Sequence, residues 1–578
     1  MSQGKRSFLR DAWRLAKPYW SSEEKWWAWG LLLAVIALNL AGVYISVRIN
    51  TFQRDFFNAI QEYDWSAFWE QLALFVVLAA ADVSFTVYQV YLQQMLQIRW
   101  RRWLTKRYLD TWLDARAYYR LQLQDGGTDN PDQRISDDLD RFTRQSLELT
   151  VGTQGFLNAG VTLLSFLGIL WELSGSAELP LGPLGTIVIP GYMVWCALLY
   201  AVGGTWLTFK IGRPLVRLNF ERQRYEADFR FSMARLRENT ESVALYGGEG
   251  HERRNFLDRF ASIVVNFRGI MSRIKRLNWY TNAYNLVAIV FPYLVASPRY
   301  FAKEMTLGDL QQTADAFGQV QQSLSFIIGA YKEIAEWQSV VQRLAGFEAR
   351  AREIAAAARA PQLIEVSRGG TGVSVEALDL DLPDGTPLLR DVSFTVLAGE
   401  SLMIAAPTGT GKSTLLRAIA GIWPFGRGRI RLGEGTVLFL PQRPYLPLGT
   451  LGTAILYPHE DENVPTERVA AALRQVGMGA LVDELDTIDN WAHRLSLGEQ
   501  QRIAFARVLL SEPAIVFLDE ATSALDEESE AALYGILRRA PWQPTIISVG
   551  HRTTLRAVHQ RVLTLAEAGQ SARSATAG

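Results

Sequence analysis

The chain has 578 residues, 59 Lys+Arg balanced by 59 Asp+Glu, and a single cysteine, Cys196. Zero net charge excludes a wholly nucleic-acid-binding or acidic-tail protein, and one cysteine excludes a disulfide-stapled secreted domain. The length exceeds what one core supports, and the mean hydropathy of +0.02 averages two unlike parts.

Segment 1–25 is basic, with Lys5, Arg6, Arg10, Arg14, Lys17 and Lys25. Phe8, Leu9, Ala12, Trp13 and Ala16 recur at helical spacing, and Pro18 is the expected stop. This predicts an interfacial elbow helix on the cytoplasmic side. It lacks the apolar core and cleavage site of a signal peptide. Trp26, Trp27 and Trp29 mark the water–lipid boundary.

A membrane domain is expected over 26–340. A spanning helix needs about 20 largely apolar residues, because hydrocarbon satisfies no backbone polar group. Six runs are read as spans: Trp26–Val47, Gln71–Ile98, Val151–Trp171, Leu179–Phe209, Leu277–Pro298 and Ala316–Tyr331, the last short and rich in Gln. Arg and Lys concentrate in 1–25, 99–144 and 210–276, which puts both termini and both long loops in the cytoplasm. The long loops read as paired helical stalks, breaking at Asp125-Gly126-Gly127 with Asn130-Pro131, and at Gly247-Gly248. Such stalks could couple to a cytoplasmic domain. Asp82 lies within the second span, where an acid is a functional suspect, with Asn39 or Asn158 as alternative structural partners. Gln89, Gln93 and Gln97 give that span one polar stripe. Asp82, Gln89 and Gln93 are therefore candidate cavity residues for a hydrophilic solute.

An Ala-rich linker is expected over 341–361, an α/β domain over 362–568 and a disordered tail over 569–578. Strands are predicted at Val373–Leu380, Val392–Val396, Leu402–Ala405, Val437–Leu440, Ile515–Leu518, Thr545–Val549 and Val562–Leu565. After the third comes Ala406-Pro407-Thr408-Gly409-Thr410-Gly411-Lys412-Ser413-Thr414, then a helical run. A loop of this spacing cradles phosphate oxygens on its N–H groups; Lys412 reaches the β- and γ-phosphates and Ser413 places a hydroxyl on Mg²⁺. Ala406 stands where the pattern has Gly. If that position needs positive φ, the loop carries about 1–2 kcal/mol of strain. The apolar run ending in Asp519 and Glu520 delivers one carboxylate to hold the metal through water and a second to polarise the attacking water.

Together these motifs resemble the ATP-binding cassette family. Leu495-Ser496-Leu497-Gly498-Glu499-Gln500-Gln501-Arg502 is similar to its signature loop, with Leu497 and Glu499 as departures. The resemblance implies that Ser496, Gly498 and Glu499 face the nucleotide of a partner cassette. It implies that Gln442 senses the metal, that Ser523 and Asp526 sit in the dimer-contact loop, and that His551 touches the γ-phosphate. The family's base-stacking aromatic has no counterpart: its place is Asp381, and 370–390 holds no Phe, Tyr or Trp. One cassette and six spans imply a half transporter, completed most simply by a second copy of itself.

A narrower resemblance rests on Glu238–Glu249 in the second stalk, Pro441-Gln442-Arg443-Pro444-Tyr445, Leu456-Tyr457-Pro458 and Gly421-Ile422-Trp423-Pro424. These look like peroxisomal fatty-acyl-CoA transporters and their SbmA/BacA-type bacterial relatives with a fused cassette. The expectation is an exporter-type six-helix membrane domain with long cytoplasmic stalks, followed by the α/β cassette. The implied activity is ATP-driven transport with ATP and Mg²⁺ at the bacterial inner membrane. The implied cargo is a peptide or cobalamin-like compound taken up; an exporter, an acyl-CoA transporter or a weakly hydrolysing regulator are the alternatives.

Overall fold

In a computed structural model, the described residues are 2–125, 131–180, 186–359, 362–407, 409–459, 464–550, 552–565 and 573–576. They form two compact units, Met1–Ala355 and Ala356–Gly578.

The first unit is helical. The elbow helix α1 (Ser2–Trp20) runs through Pro18 rather than stopping there. Tyr19, fully buried, stacks on Trp100 with ring centroids 5.8 Å apart, and this packing outweighs the proline's missing donor. Next come α2 (Lys25–Gln61) and α3 (Trp65–Leu113), the latter capped by Asp64, whose carboxylate accepts from the Ser66 and Ala67 N–H groups. After α4 (Ala117–Asp125) the chain re-enters at Pro131, passes a π-helical turn at Arg134–Asp138 and continues as α5 (Leu139–Val151). The predicted break at Gly126–Asn130 lies outside the described residues. Gly152 then breaks the helix before α6 (Phe156–Ser174).

The fourth predicted span is corrected. β1 (Ser176–Pro180) and β2 (Thr186–Pro190) pair antiparallel, and the helix α7 starts only at Tyr192, running to Glu238. Pro180 and Pro190 at the strand ends disfavour a helix there. A short α8 (Thr240–Tyr246) ends at Gly247, whose φ of +60° closes the second stalk at the expected break. α9 (Glu249–Phe301) and α10 (Leu307–Arg359) complete the unit.

Among the described residues, four helical stretches are apolar and long enough to cross a membrane: Lys25–Gln61, Trp65–Leu113, Pro131–Ser174 and Tyr192–Glu238. Asn278, Asn282 and Asn285 in α9, and the glutamines of α10, dilute the last two expected spans. Much of the expected linker is helical: 341–359 belongs to α10, with Val341, Leu344 and Phe347 buried beside Tyr108 and Phe142. Alanine is the best helix former, so an Ala-rich run extends a helix whose other face is packed.

In the second unit a six-stranded sheet carries the order β12 (Arg573–Thr576), β11 (Arg561–Thr564), β6 (Ser401–Ala405), β10 (Thr545–Val549), β9 (Ile515–Asp519), β8 (Val437–Leu440). All pairings are parallel except the edge strand β12, which falls in the expected disordered tail and pairs antiparallel with β11, where an edge offers unpaired backbone groups. A second sheet holds β3 (Ile364–Arg368), β7 (Gly426–Leu432), β4 (Val373–Asp381) and β5 (Pro387–Val396), of which β3 and β7 escaped the sequence reading. β7 alternates Arg with Gly and apolar residues, so it lacks a continuous apolar run. Val516, Phe517 and Leu518 are fully buried in the middle of the main sheet, which aims the next residues out at its carboxyl edge.

Candidate functional site

The phosphate loop leaves the carboxyl end of β6. Gly409 (φ +87°) and Gly411 (φ +96°) adopt the left-handed conformation that only glycine takes cheaply. A Cβ on Gly411 would also lie 2.8 Å from the Leu388 side chain. Ala406 is not among the positive-φ residues, so the strain its Cβ would cause does not arise. Thr410 Oγ1 donates to the Pro407 carbonyl at 2.8 Å. Lys412 is buried, and its Nζ donates to the carbonyls of Ala406 (2.7 Å) and Pro407 (3.2 Å), so the ammonium is folded into the loop's own cradle. Lys412 opens the helix Lys412–Ile419, with Ser413 and buried Thr414 in its first turn. Thr408 lies outside the described residues.

Ser413 Oγ donates to Asp519 Oδ1 at 3.0 Å, which ties the helix start to the end of β9. Burial pushes the Asp519 carboxyl above its ordinary range; the Ser413 hydrogen bond opposes this and Glu520 adds to it. Glu520 has φ +48°, a conformation costing a non-glycine residue about 1–2 kcal/mol. Its N–H donates to the Val549 carbonyl at 3.0 Å, and its carbonyl accepts from the Ser523 N–H at 3.0 Å, so β10 and the following turn hold it there. Gln442 Nε2 donates to Glu520 Oε2 at 3.1 Å. The structure thus gathers Ser413, Gln442, Asp519 and Glu520 in one cluster beside the phosphate loop. Its donors are hard oxygens, and among the described residues no three or more Asp, Glu, His or Cys side chains are grouped so as to hold a metal ion by themselves. This suits Mg²⁺, which is held by one or two protein oxygens plus phosphates and waters, and does not suit an all-protein cage.

Ser496 caps the helix Leu497–Ser511 through a reciprocal box with Glu499. The Glu499 carboxylate accepts from Ser496 N–H (2.8 Å) and Ser496 Oγ (2.7 Å), so this predicted nucleotide ligand is turned back to fix Ser496. A Cβ on Gly498 would meet the Ala524 carbonyl at 3.2 Å, so this glycine lets the signature helix sit against the 523–526 loop. Asp526 caps the helix Glu527–Arg538, accepting from Ser529 N–H at 2.7 Å; that bond and the one from Ser529 Oγ hold its carboxyl below the usual range.

Two groups were missed by the sequence reading. Gln501 is fully buried; its Nε2 donates to the Gln442 carbonyl (3.0 Å) and Ser523 Oγ (3.2 Å), while its Oε1 accepts from Ala524 N–H (3.1 Å). One side chain therefore joins three of the motif loops. Arg552 donates to the carbonyls of Leu525 (2.8 Å) and Ser523 (2.9 Å). Both residues stand inside or beside a quoted motif, which was the available signal. His551 itself lies outside the described residues. Behind that segment, Tyr534 Oη donates to Ser548 Oγ at 3.0 Å and His559 Nε2 lies 2.9 Å from the same hydroxyl. His559 Nδ1 faces the Leu555 carbonyl at 2.7 Å, so Nδ1 carries the proton and Nε2 accepts.

Asp381 carries no aromatic platform: its carboxylate accepts from Arg390 at 2.6 Å and its carbonyl from Trp423 Nε1 at 3.0 Å.

In the helical unit the polar stripe is corrected. Gln89 is buried and donates to the Val151 carbonyl (3.2 Å), and Asn39 to the Gly152 carbonyl (3.4 Å). The break after α5 leaves the Val151 carbonyl without a helical partner and Gln89 satisfies it, while the Gly152 carbonyl accepts from both Asn39 and the Gly155 N–H, so Gln89 locks helices rather than lining a wet cavity. Gln97 reaches Asp140 at 3.5 Å. Gln93 and Asp82 are half-buried on α3, and neither Asn39 nor Asn158 bonds to Asp82.

Comparison with known proteins agrees with this layout. The ABC transporter transmembrane region 2 family matches residues 15–301, and the ABC transporter family matches residues 389–523. The chain is 35% identical to ABC transporter D family member 2, chloroplastic, of Arabidopsis thaliana, covering 98% of this chain and 87% of that one. It is 32% identical to the inner membrane ABC transporter ATP-binding protein YddA of Escherichia coli (93% and 94%). It is 27% identical to the human lysosomal cobalamin transporter ABCD4 (96% and 93%). Among solved structures, a bacterial Atm1-family ABC exporter with ATP bound superposes with a TM-score of 0.67 at 19% identity, covering 93% of each chain.

Proposed function

Because the chain belongs to the ABC transporters, as a fused half transporter of the D family, we propose that two copies form a homodimer that moves a cobalamin-like hydrophilic solute across the bacterial inner membrane. Its chemistry is ATP hydrolysis coupled to membrane transport. The observation that carries the site assignment is the hydrogen bond from Ser413 to Asp519, which brings the two halves of a phosphate-binding site within 3.0 Å.

In this reading the loop N–H groups of Gly409, Thr410 and Gly411 and the ammonium of Lys412 bind phosphate oxygens. For this, Lys412 exchanges its two carbonyl partners for the β- and γ-phosphates. Ser413, Gln442 and Asp519 would hold Mg²⁺, which neutralises phosphate charge. Glu520 orients the attacking water as a general base, in a backbone pose that the Val549 and Ser523 hydrogen bonds maintain. Ser496 and Gly498 face the partner's nucleotide. Six spans, two of them in α9 and α10, complete each half, with both termini cytoplasmic.

Asp82 lies in an expected span and bonds to neither Asn39 nor Asn158, which supports a polar cargo. A fatty-acyl cargo is the second reading, because Gln89 and Gln97 are spent on interhelical contacts and leave α3 less polar than its sequence suggests. Oriented vesicles with ATP on one side and radiolabelled cobalamin, peptide or acyl-CoA decide between them. ATP-dependent movement of acyl-CoA with none of cobalamin would refute the first reading.

A further inference from the structure

Behind the turn that follows β9 lies a buried carboxylate to which the motifs assign no role. Glu530 is 2% exposed and stands in the first turn of the helix Glu527–Arg538. Its Oε2 accepts from Thr522 Oγ1 at 2.6 Å, and its Oε1 accepts from Thr554 Oγ1 at 2.8 Å. Arg552 Nη1 lies 3.7 Å from the same Oε2.

Taking a carboxylate out of water costs several kcal/mol, and an apolar side chain of similar size packs a helix as well or better. Here two hydroxyl donors, a guanidinium and the positive end of a helix offset that cost. Those partners come from two separate segments. Thr522 is 2% exposed and lies inside the turn in which the Ser523 N–H donates to the Glu520 carbonyl at 3.0 Å. Arg552 and Thr554 follow β10, and the Arg552 guanidinium also donates to the carbonyls of Ser523 and Leu525. One carboxylate therefore ties the Glu520 turn to the 552–554 segment.

That turn needs an anchor. Glu520 is held at a φ of +48°, which a non-glycine residue keeps only when its surroundings over-determine it. Backbone hydrogen bonds to Val549 and Ser523 supply part of the restraint, and Thr522 adds a side-chain tie from within the turn. We propose that Glu530 is a positioning residue for hydrolysis. It fixes the Glu520 turn against the segment after β10 and so keeps the Glu520 carboxylate aimed at the attacking water. It acts through Thr522 and not on the reacting atoms, so turnover depends on it and nucleotide binding does not. This inference rests on the assignment of Glu520 as general base and deepens it.

The test compares Glu530→Ala and Glu530→Gln in the full-length protein in lipid nanodiscs. Gln accepts from one threonine and donates to the hydroxyl of the other, so it preserves the bridge and should keep kcat within about threefold of wild type. Ala removes both arms, and kcat should fall about tenfold or more, the worth of one hydrogen bond to a charged group. The Kd for ATP should stay within about twofold in both variants. Hydrogen exchange at the Ser523 amide should speed up in the Ala variant and not in the Gln variant. A merely structural role does not split these readings, because loss of folded cassette lowers ATP binding and kcat together. Should Glu530→Ala fail to fold, Thr554→Val removes one hydroxyl with little change of shape. It should slow turnover and speed exchange at Ser523, although Thr554 makes its bond to Glu530 and not to that turn. Wild-type kcat in folded Glu530→Ala, loss of ATP binding in step with kcat, or unchanged Ser523 exchange in Thr554→Val overturns the proposal. Glu520→Gln in parallel separates the two ideas. Near-normal hydrolysis there overturns the base assignment, whereas slow turnover there beside normal turnover in Glu530→Ala overturns the role of Glu530 alone.

Discussion

Replacing Gln501 by Leu should loosen the nucleotide site without touching the phosphate loop. The side chains are close in volume, so no large cavity forms. What disappears is the set of three hydrogen bonds to Gln442, Ser523 and Ala524. Ser523 Oγ can rotate to another partner, so two backbone groups, the Ala524 N–H and the Gln442 carbonyl, bear the loss. At about 1 kcal/mol each, the low end for a group left unpaired near the surface, the 523–526 loop becomes about 2 kcal/mol easier to open. That converts to roughly thirtyfold faster hydrogen exchange at the Ala524 amide in full-length protein. Steady-state kcat should fall as well, because Gln442 donates to Glu520 and loses its backbone anchor, while KM for ATP should hardly change. Unchanged exchange at Ala524, or a raised KM at constant kcat, would refute the argument that Gln501 registers these loops.

Glu520→Gln should bind ATP yet lose about 10²-fold or more in turnover, while Lys412→Ala should lose nucleotide binding itself; near-normal hydrolysis by the first overturns the base assignment. With Asp381 paired to Arg390 and the neighbouring Trp423 buried and bonded to its carbonyl rather than presented as a platform, ATP and GTP should differ in KM by less than about tenfold, and a larger preference in parallel hydrolysis assays would reveal a stacking residue. Burial lowers the His559 pKa, so the unfolded chain binds the proton more readily. Stability is then full above the ordinary value of 6.5 and is lost as pH falls below it, and melting of His559→Gln should show a flatter acid limb. Asp82→Asn should impair transport in vesicles more than basal ATPase; loss of folded protein instead would mean a structural role.

The cassette was legible because its chemistry is local. Phosphate binding needs a strand, a glycine-rich turn and a helix start in one short stretch, and 401–419 spells all three. Asp519 and Glu520 were legible for a similar reason, since five apolar residues before them can only be a buried strand. The long helices and the turn at Gly247 likewise followed from hydropathy and glycine. What the sequence left open were relations between distant segments. Gln501 reads as one more polar residue on a helix until folding sets it against Gln442 and Ala524, residues 59 and 23 positions away. Gln89 looked like a cavity residue because periodicity reveals a face but not what lies opposite it, and the orphaned carbonyl at Val151 comes from a break 62 residues on. Pro18 failed as a stop because buried Tyr19 repays the packing. Local composition fixed which groups can bind phosphate; only the tertiary structure decided which polar groups remain available, because a buried donor or acceptor is claimed by whichever unsatisfied partner the fold brings within about 3 Å.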